Sequence, residues 1–134
     1  MTGSPDRSPR TALVLYAKHV HRVAQFYRRA LDLETAEEDD GFMVLRGQAV
    51  ELTMVRIPQH IAADIEITTP PHVREDTPFK PSFLVPDLQA AREAVAATGG
   101  QLRPPGDEWL FRGALHVDAW DPEGNVVQFR QDRR

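Results

Sequence analysis

Three polar side chains interrupt strand-like stretches that are otherwise mostly apolar, and they are the first candidates for chemistry. Glu51 and Lys80 each fall within such a stretch, and Gln128 falls in the last one, after the turn Asp121–Asn125. A carboxylate can accept a proton, and an ammonium can attract a carboxylate or carbonyl oxygen. A buried Glu51–Lys80 pair would also be tolerable as a structural, hydrogen-bonded ion pair, so both interpretations stay open.

A second candidate pair alternates along one predicted strand. His116 and Asp118 would point the same way, as a base and the residue that orients it. A solvated strand face is the commoner explanation of such a pattern. No Ser-His-Asp order or phosphate-binding loop is evident, and Gly99-Gly100 predicts a helix end.

Composition narrows the class of protein. The chain has 134 residues, enough for one domain with a real core, and a net charge of −4 without a basic stripe argues against a nucleic-acid partner. It contains no cysteine, which excludes disulfides and Cys-built metal sites. No apolar run approaches the roughly 20 residues of a membrane helix, so we expect no membrane partner and a cytoplasmic location. Residues 1–10 are polar and predict a disordered tail.

The first half of the chain predicts the order β-α-β-β-β. Val20, Val23, Ala24 and Tyr27 recur at helical spacing, whereas the flanking stretches alternate. The predicted elements are a strand at Thr11–Ala17, a helix at about His21–Leu31, and strands at Leu33–Glu37, Phe42–Arg46 and Ala49–Arg56.

The second half repeats this plan after a proline-rich connection. Asp87 predicts a helix cap, and it matches His19 at an offset of 68 residues. The predicted elements are a strand at Phe79–Val85, a helix at Leu88–Thr98, extended segments at Gln101–Arg103, Glu108–Arg112 and Leu115–Trp120, and a last strand from Val126. We therefore predict one α+β domain over 11–130, with βαβββ units at 11–56 and 79–130 and a connection at 57–78. Two such units would form a curved, cup-shaped mixed sheet with the helices on its convex side.

The paired units resemble the vicinal oxygen chelate superfamily, which includes glyoxalase I, bleomycin-resistance proteins and extradiol dioxygenases. Phe26-Tyr27, Leu31-Asp32-Leu33 and the Asp-Pro-Glu-Gly-Asn turn at 121–125 carry the resemblance, which covers about Thr11 to Arg130. Two positions differ from the usual family pattern. Asp32 replaces a glycine, and His19 replaces an acidic helix cap.

The resemblance implies four metal-ligand positions, one on the first and one on the last strand of each unit. They fall on Ala12, Glu51, Lys80 and Gln128. Ala12 has no donor atom and the ammonium of Lys80 repels a cation, so we expect no metal, no other cofactor and no glyoxalase I activity.

The cup is instead expected to bind a small molecule. Its strands would contribute polar side chains to a mostly apolar concavity, and the segment around Trp109 would overhang it, as in relatives. The expected ligand-binding residues are Tyr16, Thr53, Ser82, Trp109, Arg112 and Gln128, with Glu51 and Lys80 as catalytic candidates. Because some relatives build the site from two subunits, we also expect a homodimer.

The leading hypothesis is therefore a glyoxalase-like or bleomycin-resistance-like protein that binds a small organic ligand without a metal. One alternative is a metal-independent isomerase or lyase, with Glu51 as proton acceptor and Lys80 as electrophile. Another is a divalent-metal lyase or dioxygenase, if a register slip has displaced the ligand positions. Whether the chain is an enzyme stays open at this point.

Overall fold

The first unit forms a four-stranded mixed sheet covered by one helix. We describe a computed structural model in which residues 10–133 are placed; the tail expected over residues 1–10 lies outside the described residues, apart from Arg10. The elements are β1 (Thr11–Ala17), α1 (Val20–Leu31), β2 (Glu34–Glu38), β3 (Phe42–Arg46) and β4 (Val50–Arg56). The strand order is β1-β4-β3-β2, with β1 parallel to β4 and the other pairs antiparallel.

The connection between the units contacts both of them. It contains the short helix α2 (Gln59–Ala62) and then crosses to the turn at 121–125, where Arg74 bridges Asn125. The Arg74 N–H donates to the Gly124 carbonyl over 2.8 Å, and the Lys18 ammonium holds the Ile65 carbonyl at 2.5 Å. The connection is thus a packed arm along its described contacts.

The second unit repeats the plan with one strand position split in two. Its elements are β5 (Ser82–Leu84), α3 (Leu88–Ala97), β6 (Gln101–Leu102), β7 (Trp109–Phe111), β8 (Ala114–Trp120) and β9 (Val126–Asp132). The order is β5-β9-β8-β6, and β7 pairs with the same strand, β8, as β6 does. Prolines at 104 and 105 and a 3₁₀ turn at Pro105–Asp107 separate β6 from β7.

Two strand ends differ from the sequence prediction by two or more residues. β5 begins at Ser82 rather than Phe79, because Pro81 has no N–H to donate and contributes only its carbonyl, which accepts from the Gln128 N–H over 2.8 Å. β9 continues to Asp132, two residues beyond the expected end at Arg130.

One continuous core joins the units. α1 packs against α3, and the inward faces of both sheets meet the same cluster of buried side chains. At its centre the rings of Phe26 and Tyr27 lie 4.7 Å apart, and those of Phe83 and Phe129 lie 6.2 Å apart. The expected α+β fold with two βαβββ-type units and a curved mixed sheet arrangement is confirmed. No ladder joins β1 to β5 within residues 10–133, so each unit keeps its own sheet.

Candidate functional site

The side of the two sheets that faces away from the helices forms what we call the open face. Strand alternation selects it, because Leu13, Leu52, Phe83 and Val127 point into the core and their neighbours point outward. The open face carries Ala12, Val14 and Tyr16 of β1, Glu51, Thr53 and Val55 of β4, Ser82 and Leu84 of β5, Gln128 and Arg130 of β9, and His116 and Asp118 of β8.

Large apolar side chains are unusually exposed on this face. The exposed fractions are 59% for Val14, 63% for Tyr16 and 52% for Leu84. Neighbouring exposed apolar side chains in one region are typical of surfaces that contact another molecule.

Two cavities are each lined by residues of β1 on one side and by residues in β5 or just before it on the other. We call this region, where the two units meet, the seam. The first has a volume of about 520 Å³. It is lined by residues 13–16, Tyr27, Arg74, Asp76, Thr77, Phe79, Pro81, Phe83 and residues 125–127. The second is larger, about 1630 Å³, and includes Arg46, Lys80, Ser82, Leu84 and Arg130. The first cavity has the size and largely apolar lining of a small-molecule site.

Glu51 and Lys80 have separate partners, each within its own sheet. Oε1 of Glu51 lies 2.8 Å from Nη2 of Arg46, the residue opposite it on β3. Nζ of Lys80 lies 3.0 Å from Oδ1 of Asp118 and 5.8 Å from the centre of the Trp109 ring. Both pairs are partly solvated, as in ordinary ion pairs.

The four positions that the family resemblance selects do not fit a metal. Ala12 lies opposite Glu51, and Gln128 lies opposite Ser82, whose hydroxyl donates to its Oε1 over 2.6 Å. No residue of β1 or β5 has a carboxylate or imidazole, so a register slip would supply no further ligand of that kind. Within residues 10–133 no group of three or more His, Cys, Asp or Glu side chains could hold an ion.

The β7–β8 hairpin places the aromatic candidates. Trp109 stacks on His116 at a ring distance of 5.5 Å, and Phe111 meets the same ring edge-on at 5.7 Å. Arg112 lies at the exposed two-residue tip with φ of 51°, followed by Gly113 with φ of 76°. Trp109 therefore lies beside Lys80, whereas Arg112 lies at the end of the hairpin.

Of the remaining ligand-binding candidates, Tyr16 lines the first cavity and Ser82 the second. Thr53 lies opposite Val14 on β4, within the first sheet. The fold thus brings Lys80, Ser82, Trp109 and Gln128 to the second unit's open face, and Tyr16, Glu51 and Thr53 to the first unit's.

His116 and Asp118 do not contact each other as base and orienter. Nδ1 of the buried His116 ring lies 3.0 Å from the Ala114 carbonyl, and the Asp118 carboxylate pairs with Lys80. The imidazole is held by the backbone and by two aromatic rings, which is typical of a structural position.

A buried polar network lies behind the first cavity. The Tyr27 hydroxyl and the Asn125 side-chain amide donate to Asp121, as do the N–H groups of Glu123 and Asn125. Burial raises the pKa of the Asp121 carboxyl, although these donors act to lower it. Burial also raises the pKa of the Tyr27 phenol, and the negative charge of Asp121 adds to the shift.

Sequence reasoning missed two residues of the site region. Glu123 is buried, and its carboxylate accepts from the N–H groups of Lys18 and His19, at 2.9 and 2.7 Å, at the start of α1. Arg130 was not among the expected ligand-binding residues, but on β9 it lies on the open face with Gln128. The alternation of Val126, Gln128 and Arg130 along the strand could have identified Arg130 as an open-face residue.

Comparison with known proteins identifies the fold independently. The sequence profile of the glyoxalase-like domain matches residues 12–129. No curated protein matches the chain. Within residues 10–133, none of the helices has the length and apolar character needed to cross a lipid bilayer.

Several solved structures have the same fold. A glyoxalase/bleomycin resistance protein/dioxygenase family enzyme from Burkholderia phytofirmans PsJN is 14% identical, with a TM-score of 0.65 over 92% of this chain and 98% of that one. A glyoxalase/bleomycin resistance protein from Albidiferax ferrireducens T118 is 17% identical, with a TM-score of 0.63 over 90% and 96%. A bleomycin resistance determinant encoded on transposon Tn5 is 16% identical, with a TM-score of 0.61 over 95% and 100%. At these identities the similarity shows the fold alone.

Proposed function

This chain belongs to the glyoxalase-like domain family, and on that premise we propose that it binds a small organic molecule, without a metal, on the open face beside the seam. The observation that carries the proposal is the exposure of Val14 and Tyr16, 59% and 63%, next to a cavity of about 520 Å³. Covering these side chains with an apolar ligand would remove them from water.

Polar groups around the same cavity would orient the ligand. Arg74 and Asp76 belong to the arm, and Asn125 directly precedes β9, so the polar contacts come from the arm and the second unit. The first-unit side contributes mainly the apolar strand β1. The ligand expected here is therefore mostly apolar with a polar end.

The acid–base alternative needs Glu51 and Lys80 to act on one substrate, and their separate ion pairs give it no support. The metal-dependent alternative needs ligands that Ala12 and Lys80 do not supply. Binding is therefore the function that the geometry favours over catalysis.

We extend the proposal to a homodimer, in which a second copy covers part of the open face. The exposed apolar side chains support it, since a monomer rarely leaves several of them uncovered together. Sedimentation equilibrium measures the state directly, and Val14→Asp should shift it towards the monomer. A cytoplasmic location stays a prediction.

Thermal shift against a set of small aromatic and aliphatic molecules tests the binding function. Saturable shifts are expected for the wild type, with at least about tenfold weaker binding in Tyr16→Ser. The matched control is Ile61→Ser, because Ile61 is also exposed, at 47%, but lies on α2 away from the open face. Failure of every molecule to bind, or equal losses in both variants, would refute the proposal.

A further inference from the structure

Arg130 is a cation without an acidic partner on the second unit's open face. On β9 it lies between Leu84 of β5 and His116 of β8, and it lines the second cavity with Lys80 and Ser82. Within residues 10–133 no carboxylate lies within ion-pair distance of its guanidinium group. A half-buried guanidinium loses hydration, and no carboxylate of the described part of the chain offsets that loss.

A second donor lies beside it. The Ser82 hydroxyl donates to Oε1 of Gln128 over 2.6 Å, which leaves the Nε2 group of the amide with its two N–H donors. Among the described residues, that Nε2 group has no hydrogen-bond partner. Gln128 and Arg130 are two residues apart on one strand, so both side chains project from the same face.

Arg130 is a cation of this patch that no described carboxylate contacts. Lys80 and Asp118 pair at 3.0 Å, so Asp118 is already taken by another cation. Asp132 follows on the same face of β9, but its carboxylate is not within 4.0 Å of Arg130. An anion would meet at least two kinds of unoccupied donor here.

On the β5 side, Arg130 lies opposite the apolar side chain of Leu84. Leu84 is 52% exposed and Phe79 is 80% exposed, and both line the second cavity. A bare inorganic anion would leave these side chains in water. A ligand with an apolar body and an anionic end would cover both features.

We propose that the second cavity binds an organic carboxylate, with its oxygens on Arg130 and the Gln128 amide and its apolar body against Leu84 and Phe79. The planar guanidinium presents paired N–H donors that match the two oxygens of a carboxylate. This inference goes beyond the proposed function, because it assigns a ligand class to the second cavity rather than to the first.

Isothermal titration with a matched pair of probes tests it. Naphthalene-2-carboxylate should bind the wild type saturably, and the uncharged naphthalene-2-carboxamide should bind at least about tenfold more weakly. Arg130→Gln should weaken binding of the acid at least about tenfold and leave the amide unchanged. Arg133→Gln is the control, because Arg133 is exposed and lies beyond the end of β9.

Three results would overturn the inference. They are equal affinity of Arg130→Gln and the wild type for the acid, equal affinity of the wild type for acid and amide, and no binding of the acid at millimolar concentration. The second result would leave the binding function standing, since the amide would still bind. If inorganic phosphate binds where the acid does not, the third result would identify a simple anion site. Arg130→Lys, which keeps the charge, guards against a folding defect, and it should bind the acid with intermediate affinity.

Discussion

The hydroxyl of Tyr27 donates a 2.8 Å hydrogen bond to Oδ2 of Asp121, joining residues that lie 94 positions apart. Tyr27 is on α1 in the first unit, and Asp121 opens the turn before β9 in the second. The bond therefore fastens the two units together through their buried centre. It also explains why Phe26-Tyr27 and the turn at 121–125 occur together in this chain.

Removing that bond should destabilise the protein. Tyr27→Phe leaves the ring in place but withdraws one donor from a buried carboxylate, so a loss of about 1.5 to 3 kcal/mol in unfolding free energy is expected. Urea denaturation measures it. Tyr16→Phe is the control, because the exposed Tyr16 makes no such bond and should change little. Equal effects of the two substitutions would contradict the interpretation.

The raised pKa of Tyr27 predicts a loss of stability at alkaline pH. The pKa of Tyr27 is raised in the folded state, so the phenol ionises first in the unfolded chain. Its contribution is fully present below the unfolded value of about 10 and is lost as pH rises from there through the folded pKa. Unfolding free energy measured from pH 8.5 to 11 should fall more steeply in the wild type than in Tyr27→Phe. Parallel curves would rule this linkage out.

Glu123 should act as a remote cap for α1. The helix has no side-chain cap of its own at His19, and Glu123 accepts the two N–H groups there instead. Glu123→Ala should cost about 2 kcal/mol or more, because two partly buried donors lose their partner and removal of the buried side chain leaves a cavity. Adding His19→Asp should restore about 1 kcal/mol by supplying a local cap, as Asp87 does for α3. If the double variant is no more stable than Glu123→Ala, capping is not the role of Glu123.

Asp32 carries a conformational cost that a glycine would relieve. It ends α1 with φ of 53° and ψ of 53°, in the left-handed region, and its side chain is exposed. Asp32→Gly should therefore raise the midpoint of thermal unfolding, by about 0.5 to 1 kcal/mol in free energy. The glycine that is usual in the family at this position avoids the same conformational cost. Destabilisation by the substitution would show that the carboxylate has a role of its own.

The packed arm should depend on Gly124. This residue has φ of 85°, and a Cβ there would overlap the carbonyl oxygen of His72 in the arm. Gly124→Ala should cost about 2 kcal/mol or more and speed proteolysis within residues 57–77. Gly106→Ala is the matched control, because nothing lies within 4 Å of its Cβ position. Unchanged proteolysis in Gly124→Ala would show that packing of the arm does not depend on this contact.

The first half of the fold was predictable from local pattern. Alternation marked β1 and β4, and helical spacing marked α1, because each periodicity arises from the backbone geometry of a single element. The same logic found the repeat at an offset of 68 residues. It also located α3, since Asp87 forms the expected cap on the Gln89 N–H.

Pairing across the sheet decided what local pattern could not. The short β5 follows from Pro81 only once β9 is seen to pair with it, and the split of β6 from β7 follows from their shared partner β8. Strand residues have known faces from sequence, but their neighbours are set by register.

The partners of charged side chains were likewise a tertiary matter. Glu51 and Lys80 stood out because their types were unusual for their strands, yet Arg46 and Asp118 hold them in separate sheets. Glu123 caps a helix that begins about a hundred residues earlier, which no local signal records. Sequence by itself determined the elements, the repeat and the outward-facing positions, since these depend on backbone periodicity. Only the tertiary structure decided which charges meet and which, such as Arg130, contact no carboxylate within residues 10–133, because electrostatic pairing depends on distance in space.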